Sequence, residues 1–293
     1  MVFGGASACG VNLGEDQPFR LNYILASSMY GRLPIADVLA EVRKTGAESI
    51  DIWPEQHANH REQIEDMGRE KFAELLRREG VRVGIYTCYR PGLAQSPQWM
   101  PVLREFGGSM IVTGAGGPKD LTGGELRSAI KKFARSARPA FDKAAELGVR
   151  IALENHGGAL LSAPESLLMM MEAIPDRHVG IAFAPYHLPQ SPKVLGDLIG
   201  ALGDRLMHFY AWEHGEGSSK PLPMVLQMKQ MPGCGPLDFA PLLGALRRVR
   251  YAGWTSIFMH PVPRGAPILP EAGEVTAAIN RSREYLEYCL ASI

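Results

Sequence analysis

The stretch RIALENHGG, residues 150–158, ends an apolar run with a carboxylate, an amide and an imidazole. A carboxylate and an imidazole at neighbouring positions can move protons, because both groups change protonation in the pH range where enzymes work. The same two groups also bind divalent metals such as zinc and manganese. The sudden change from apolar to polar residues predicts that Glu154, Asn155 and His156 stand where an active site begins.

Histidines recur at equivalent places along the chain. Seven of the eight lie in or just after an apolar run: His57, His60, His156, His187, His208, His214 and His260. A single histidine is more often a surface residue or a hydrogen-bonded core residue than a catalyst. Seven at matching places exceed what random placement would give, and they indicate one shared site.

Other polar and aromatic side chains accompany these histidines. The polar groups would bind hydroxyls, and the aromatic rings would either stack on the apolar face of a sugar ring or pack in the core. The candidate substrate-binding residues are Trp53, Glu55, His57, Arg90, Asn155, His156, Tyr186, Trp212 and Glu213.

Short apolar runs alternate with amphipathic segments from Arg20 to the end of the chain. Eight runs are predicted to be strands: 20–27, 48–53, 81–88, 109–117, 150–154, 179–184, 205–212 and 254–261. The segments between them have the apolar spacing of helices, including one helix predicted over 62–80. Strands that are apolar nearly throughout are typical of a parallel sheet covered on both faces.

Eight strand and helix units predict a single (β/α)8 barrel, the TIM barrel, with its chemistry at the carboxyl ends of the strands. The rival fold is an open doubly wound sheet. No GxGxxG motif follows a strand, however, and GAGG at 114–117 is only a partial match. We therefore predict one barrel domain over 19–293, with a loop insertion at about 213–236, after a loose N-terminal leader at 1–18.

Composition limits the partners of this protein. The chain has 293 residues, and its 31 Lys and Arg balance 31 Asp and Glu, so no nucleic acid partner is predicted. No apolar run is long enough to span a bilayer, so no membrane partner is predicted either. The 4 cysteines form no CxxC pair, which indicates neither a disulfide framework nor a structural zinc site. As it stands the sequence is typical of a cytoplasmic protein, while a trimmed or mis-started secretory leader is the open alternative.

Four stretches carry a family resemblance: ALENHGG (152–158), VGIAFAPYHL (179–188), HFYAWEHG (208–215) and PGCGPLDFAPLLGALRRVRYAGWTSIFMHP (232–261). With them the chain resembles the xylose isomerase-like TIM barrels, the superfamily of sugar phosphate isomerases and epimerases, from about Phe19 to the end. The last stretch is the most specific. The resemblance implies a small carbohydrate substrate and is compatible with a homo-oligomer.

The resemblance also implies a divalent metal with four ligands. Glu154 matches the glutamate after the fifth strand and His208 the histidine of the seventh, whereas Ala184 and Phe258 replace an aspartate and a glutamate. His260 shares a strand face with Phe258 because side chains alternate. We predict that Glu154, His208 and His260 are metal ligands, in a shell that favours Mn, Zn, Co or Fe. The alternatives are acid–base chemistry without a metal, and a degenerate barrel that binds sugars without turnover.

The leading interpretation of function is an isomerase or epimerase that moves a proton next to the carbonyl of a sugar or keto-sugar. The predicted catalytic residues are Glu154, His187 and His208. Glu154 would ligate the metal or take the proton, and His187 would orient or protonate a substrate oxygen. The same first step with a leaving group on the β carbon gives a dehydratase or lyase. Phosphodiester hydrolysis, as in endonuclease relatives, is disfavoured by the zero net charge and by Ala184.

Overall fold

The computed structural model describes residues 18–89 and 92–293 and contains nine parallel strand segments that make eight strands. The first strand, β1, is interrupted at Ile24 into the segments Asn22–Tyr23 and Leu25–Ala26. The others are β2 Ser49–Ile52, β3 Arg82–Thr87, β4 Met110–Gly114, β5 Arg150–Glu154, β6 Val179–Phe183, β7 Leu206–Ala211 and β8 Trp254–Ile257. Each lies within a predicted strand. The predicted leader lies outside the described residues except for Pro18.

The interruption of β1 is where the sheet closes into a ring. Its first segment pairs with β8, with Asn22 opposite Trp254, and its second pairs with β2, with Leu25 opposite Ile50. Between them, the backbone N–H of Ile24 donates to the carbonyl oxygen of Thr255 at 3.0 Å. The predicted (β/α)8 barrel is therefore confirmed, and the open doubly wound sheet is excluded.

Helices surround the ring and connect successive strands. They are α1 Ile35–Val42, α2 His60–Met67, α3 Arg69–Glu79, α4 Met100–Glu105, α5 Gly123–Leu147, α6 Pro164–Ala173, α7 Pro192–Leu202, α8 Met224–Gln227, α9 Ala240–Arg248 and α10 Ala272–Ala291. Within the predicted loop insertion lie α8 and a short 3-10 turn, Met228–Gln230. Among the described residues, no helix is both long and apolar enough to cross a membrane.

The prediction of one helix over 62–80 was wrong, because that segment forms two helices. Gly68 separates α2 from α3 and has a φ of 86°, a backbone conformation that few residues other than glycine adopt. A glycine inside a helical pattern is often tolerated, so the apolar spacing gave no sign of the break.

Strand alternation decides which side chains enter the barrel. Along β7, His208 and Tyr210 share one face, and their rings meet with centroids 4.3 Å apart. The intervening Phe209 lies on the other face, where it stacks on Phe183. Register then aligns β5, β6 and β7, because Glu154 pairs with Ala182 and Ala182 pairs with His208. The sequence thus brings a carboxyl and an imidazole to the same level of the barrel.

Candidate active site at the barrel mouth

A carboxyl and an imidazole meet at the mouth: Glu154, at the end of β5, and His187, in the 3-10 turn Pro185–His187 that follows β6. His187 Nε2 lies 3.9 Å from Glu154 Oε1, and the two side chains are only 10% and 6% exposed. Parallel strand ends meet at one rim, so residues 33 positions apart become neighbours here. The sequence predicted both residues because each follows an apolar run.

Both members of this pair favour their neutral forms. Burial, together with the nearby Asp51, raises the pKa of Glu154 well above its ordinary value. Burial, together with His156, lowers the pKa of His187 to about 3. The pair is therefore a carboxyl beside a neutral imidazole and not an ion pair at neutral pH. Once ionised, a carboxylate whose pKa is raised is a stronger base than an ordinary glutamate.

Imidazoles continue from this pair around the rim. The His156 and His187 rings have centroids 4.1 Å apart, and His187 meets Trp212 at 5.2 Å. On the far side of Trp212, His260 lies 5.2 Å from it and stacks on His57 at 4.5 Å. The strand ends thus bring together the rim histidines that the sequence singled out. His60 departs from this arrangement, because it begins α2 and its ring bonds to the Leu33 carbonyl oxygen.

An open cavity of about 590 Å³ borders one side of the mouth. Its polar lining includes Glu154, His156 and Tyr89. Its opposite wall is apolar and is built mainly from α5 and the turn before α4: Leu93, Pro97, Phe133, Ala137, Pro139 and Ala140. A ligand in this cavity would place one polar end against Glu154 and an apolar surface against α5.

Packed aromatic rings fill the other side of the mouth. Phe258 lies 5.3 Å from Trp53, 5.0 Å from Tyr210 and 5.0 Å from Trp212, measured between ring centroids. These four side chains are at most 1% exposed. Of the aromatic residues predicted to stack on substrate, Trp53 and Trp212 thus contact other rings, while Tyr186 stacks on Trp212 at 4.0 Å and is partly exposed.

Asp51 is a polar residue of the interior that sequence reasoning missed. It lies in β2 and is fully buried, and it accepts hydrogen bonds from Thr87 Oγ1 at 2.9 Å and from Trp53 Nε1 at 2.6 Å. Burial raises its pKa to about 7, although both donors favour the ionised form. The signal was present in the sequence, since ESIDIW places a carboxylate inside an apolar strand, on the face opposite Ile50 and Ile52.

A tyrosine pair connects this interior to the cavity. The hydroxyl of Tyr210 lies 3.5 Å from the hydroxyl of Tyr89, which lines the cavity. Burial raises the pKa of Tyr210, and Glu154 and Asp51 raise it further. Tyr210 thus remains neutral and can donate a hydrogen bond.

Two of the predicted substrate-binding residues make backbone contacts. Asn155 is fully buried, donates from Nδ2 to the Ala184 carbonyl oxygen at 2.9 Å and accepts from the Ala184 N–H at 2.8 Å. Glu213 accepts from the Leu237 N–H at 2.8 Å through Oε2, and burial raises its pKa to about 7. Asn155 therefore joins the ends of β5 and β6, and Glu213 anchors the loop that precedes α9.

The remaining predicted contacts lie at the edge of the site or beyond the described residues. Glu55 is exposed and pairs with Arg32, with 3.6 Å between Nε and Oε1. Arg90 lies outside the described residues, so its predicted role stays a prediction. His214, which the sequence placed at the same rim, has Nδ1 3.2 Å from the Tyr186 carbonyl oxygen.

The residues at the mouth do not fit the metal site that the family resemblance implies. Among the described residues there is no group of three or more His, Cys, Asp or Glu that could hold a metal ion. Phe258 occupies one carboxylate position with a packed ring, and Ala184 occupies the other with backbone bonds to Asn155. The predicted ligands Glu154, His208 and His260 therefore do not assemble into a shell. His208 is fully buried, burial lowers its pKa to about 3, and neither ring nitrogen has a hydrogen-bond partner within the described ranges.

The buried carboxyl and the neutral imidazoles lie at the carboxyl ends of the barrel strands. This is the place where TIM-barrel enzymes have their active sites. The chain belongs to the xylose isomerase-like TIM barrel family, whose sequence model matches residues 39–286. This confirms the resemblance seen in the sequence. No curated protein sequence matches the chain.

Solved structures share the fold at low sequence identity. An IOLI protein with a bound zinc atom is 16% identical, with a TM-score of 0.69 over 91% of this chain and 98% of that one. An L-ribulose 3-epimerase is 15% identical, with a TM-score of 0.68 over 93% and 95%. The probable 3-DHS dehydratase AsbF from Bacillus anthracis is 13% identical, with a TM-score of 0.64 over 90% and 99%.

Proposed function

We propose that this protein is a carbohydrate-active isomerase or epimerase that moves a proton next to a carbonyl group, with Glu154 as the acid–base residue. The observation that carries the proposal is the position of Glu154. Its carboxyl is buried, lines the cavity and lies 3.9 Å from a neutral imidazole. Because the described residues form no metal-binding group, every step assigned below uses side chains of this chain.

Glu154 in its ionised form takes the proton from the carbon beside the carbonyl. Its raised pKa makes this carboxylate a stronger base than an ordinary glutamate. The ring N–H of neutral His187 donates a hydrogen bond to the substrate oxygen on which negative charge develops. Return of the proton from Glu154 to the former carbonyl carbon gives an isomer, as the proton of the neighbouring hydroxyl passes to the former carbonyl oxygen. An epimer forms when solvent water protonates the enolate on the face opposite Glu154, and Glu154 then releases its own proton to solvent.

The cavity suggests how a substrate is oriented. The carbonyl end lies toward Glu154, which has His187 beside it at 3.9 Å. Hydroxyl groups reach His156 and Tyr89, and the carbon face lies on the apolar wall formed by α5. A substrate with a leaving group on the β carbon would lose that group from the same enolate, so a dehydratase or lyase is the variant of this proposal. The solved structures with this fold include proteins named as an L-ribulose 3-epimerase and as a probable dehydratase, which supports keeping both reaction types in the proposal.

Glu154→Gln tests the proposal. Wild-type protein should incorporate solvent deuterium beside the carbonyl of at least one member of a panel of ketoses and keto-sugars. The variant keeps the shape of the side chain but cannot take the proton, so we expect the exchange rate to fall by about a hundredfold or more. Glu41→Gln is a matched control, since Glu41 is also buried but lies in α1, bonded to Lys44 and Thr276. Undiminished exchange in Glu154→Gln would reject the assignment.

A sugar-binding barrel without turnover is the second candidate function. Ala184 and Phe258 favour it, because they stand where the family resemblance implies two carboxylates, one of which is usually the acid–base residue. Under this alternative, calorimetry would detect binding of a sugar while no deuterium enters it, with or without added metal.

A further inference from the structure

A second cavity, of about 230 Å³, lies outside the barrel, between β3 and the helices α2 to α4. Its lining residues are Arg61, Ile64, Glu65, Gly68, Arg69, Tyr86, Trp99 and Val102. It shares no lining residue with the cavity at the mouth. We call it the Arg61 pocket.

Three polar atoms around the Arg61 pocket lack hydrogen-bond partners among the described residues. They are Arg61 Nη1, the Tyr86 hydroxyl and Trp99 Nε1, and each is shielded from solvent. Arg61 is 9% exposed and Tyr86 is 1% exposed. Leaving a buried donor unsatisfied is costly, and a charged donor costs the most. Three such atoms around one cavity indicate that something polar occupies it.

The guanidinium of Arg61 is held in place by its other contacts. Its Cζ lies 4.4 Å from the Trp99 ring centroid, and Nη2 donates to Glu62 Oε1 at 3.3 Å. The backbone N–H of Arg61 donates to the Trp53 carbonyl oxygen at 3.3 Å, which fixes the start of α2. Burial raises the pKa of the Cys88 thiol, and Arg61, which lies near this thiol, opposes the rise. Nη1 still has no hydrogen-bond partner among the described residues.

The chemistry of the three atoms selects the ligand. Arg61 Nη1 and Trp99 Nε1 can only donate, and the Tyr86 hydroxyl can donate as well. Arg69 adds a second positive charge but pairs with Glu105 at 2.9 Å, and Glu65 brings one negative charge to the lining. A cavity lined by an arginine and by two other side chains with unpartnered donors matches the oxygens of a small anion. We propose that the Arg61 pocket binds a small oxyanion, either a carboxylate or a phosphate, outside the active site.

Thermal unfolding at constant ionic strength tests this site. Chloride is replaced stepwise by inorganic phosphate in one series and by acetate in another, and the melting temperature is followed in each. A ligand that binds only the folded state raises the melting temperature with a saturable dependence on concentration. Saturable stabilisation by phosphate or by acetate supports the site and identifies which group it prefers; stabilisation by neither overturns it.

Conservative variants separate this site from general salt effects. Tyr86→Phe and Trp99→Phe each remove one donor and keep an aromatic ring, and we expect each to raise the half-saturating concentration by about tenfold. Arg61→Met should abolish saturation, and if it fails to fold, the two aromatic variants still decide the question. Tyr288→Phe is the control, because Tyr288 is 71% exposed and lies in α10. Equal stabilisation of all variants would show a general ion effect and overturn the proposal. None of these outcomes depends on Glu154.

Discussion

Glu154 and Asp51 are two buried carboxyl groups, and the negative charge of Asp51 raises the pKa of Glu154. Asp51 is held by Thr87 and Trp53, whereas Glu154 faces the cavity. Because like charges disfavour each other, each ionised group makes the other harder to ionise. We therefore expect the charge of Asp51 to add to the effect of burial and to raise the pKa of Glu154 further.

Asp51→Asn should shift the pH dependence of deuterium exchange. Removing a negative charge lowers the pKa of Glu154, so the base forms at lower pH and the acidic limb of kcat/KM moves toward lower pH. The neutral amide also removes one hydrogen bond acceptor from Thr87 or Trp53, which reduces stability by about 1 kcal/mol. A profile of kcat/KM against pH measures the shift, and an unmoved limb would show that Asp51 does not tune Glu154.

Part of this residue-level picture could be predicted from the sequence. Glu154 and His187 were predicted because polar residues at strand ends of a parallel barrel must meet at one rim. Asp51 was not predicted because it lies inside a strand, and the apolar pattern of that strand indicates a structural role. The metal shell of Glu154, His208 and His260 was predicted from a resemblance, and the packing of Phe258, which only coordinates reveal, opposes it.

At the scale of elements, Asn155 joins the two strands that carry the proposed acid–base pair. Its amide forms two bonds with the backbone of Ala184, directly after β6. Glu154 precedes it in the chain and His187 follows Ala184 by three residues, so this link sets their separation.

Asn155→Ala should therefore reduce both stability and exchange. It leaves the buried N–H of Ala184 without its partner, at a cost of about 1–3 kcal/mol, while the Ala184 carbonyl oxygen keeps the bond from the His187 N–H at 3.2 Å. Urea unfolding measures the loss of stability, and deuterium exchange under folding conditions measures the loss of positioning. Asn280→Ala is the matched control, because its single bond to the Lys44 carbonyl oxygen is exposed. Full activity in Asn155→Ala would mean that the strand ends keep their separation without this link.

The break between α2 and α3 allows a second test at this scale. Gly68 has a φ of 86° and nothing within 4 Å of an added Cβ, so Gly68→Ala should cost about 1 kcal/mol through backbone conformation alone. Gly124→Ala is the opposite case, since Gly124 lies inside α5 without a positive φ and also has open space. It should stabilise the protein by about 0.5–1 kcal/mol. Chemical denaturation measures both, and equal effects would contradict the assignment of the break to Gly68.

At the scale of the whole molecule, the strands of the barrel were easier to predict than the packing of side chains at its mouth. Eight apolar runs with helical segments between them suffice to predict a closed barrel, because the period of the pattern is a local property. Which rim aromatics contact each other depends on packing between distant strands. Trp53 and Trp212 were thus correctly placed at strand ends, but they pack around Phe258 and leave the cavity on the side of β3, β4 and β5.

This asymmetry gives the mouth one open half and one filled half. In the filled half, Phe258 stands where the family resemblance implies a carboxylate. The open half contains Glu154 beside an apolar wall. The expected homo-oligomer and the expected absence of nucleic acid partners stay predictions at this scale.

The most direct test of the central claim is deuterium exchange by wild-type protein after exhaustive treatment with a chelator. Metal content is determined by elemental analysis of the same sample, and its exchange rate is compared with that of protein supplied with Mn, Zn, Co or Fe. Proton transfer by Glu154 without a metal predicts exchange at the untreated rate with far less than one metal ion per chain. Exchange that disappears on chelation and returns with one bound ion per chain would contradict it.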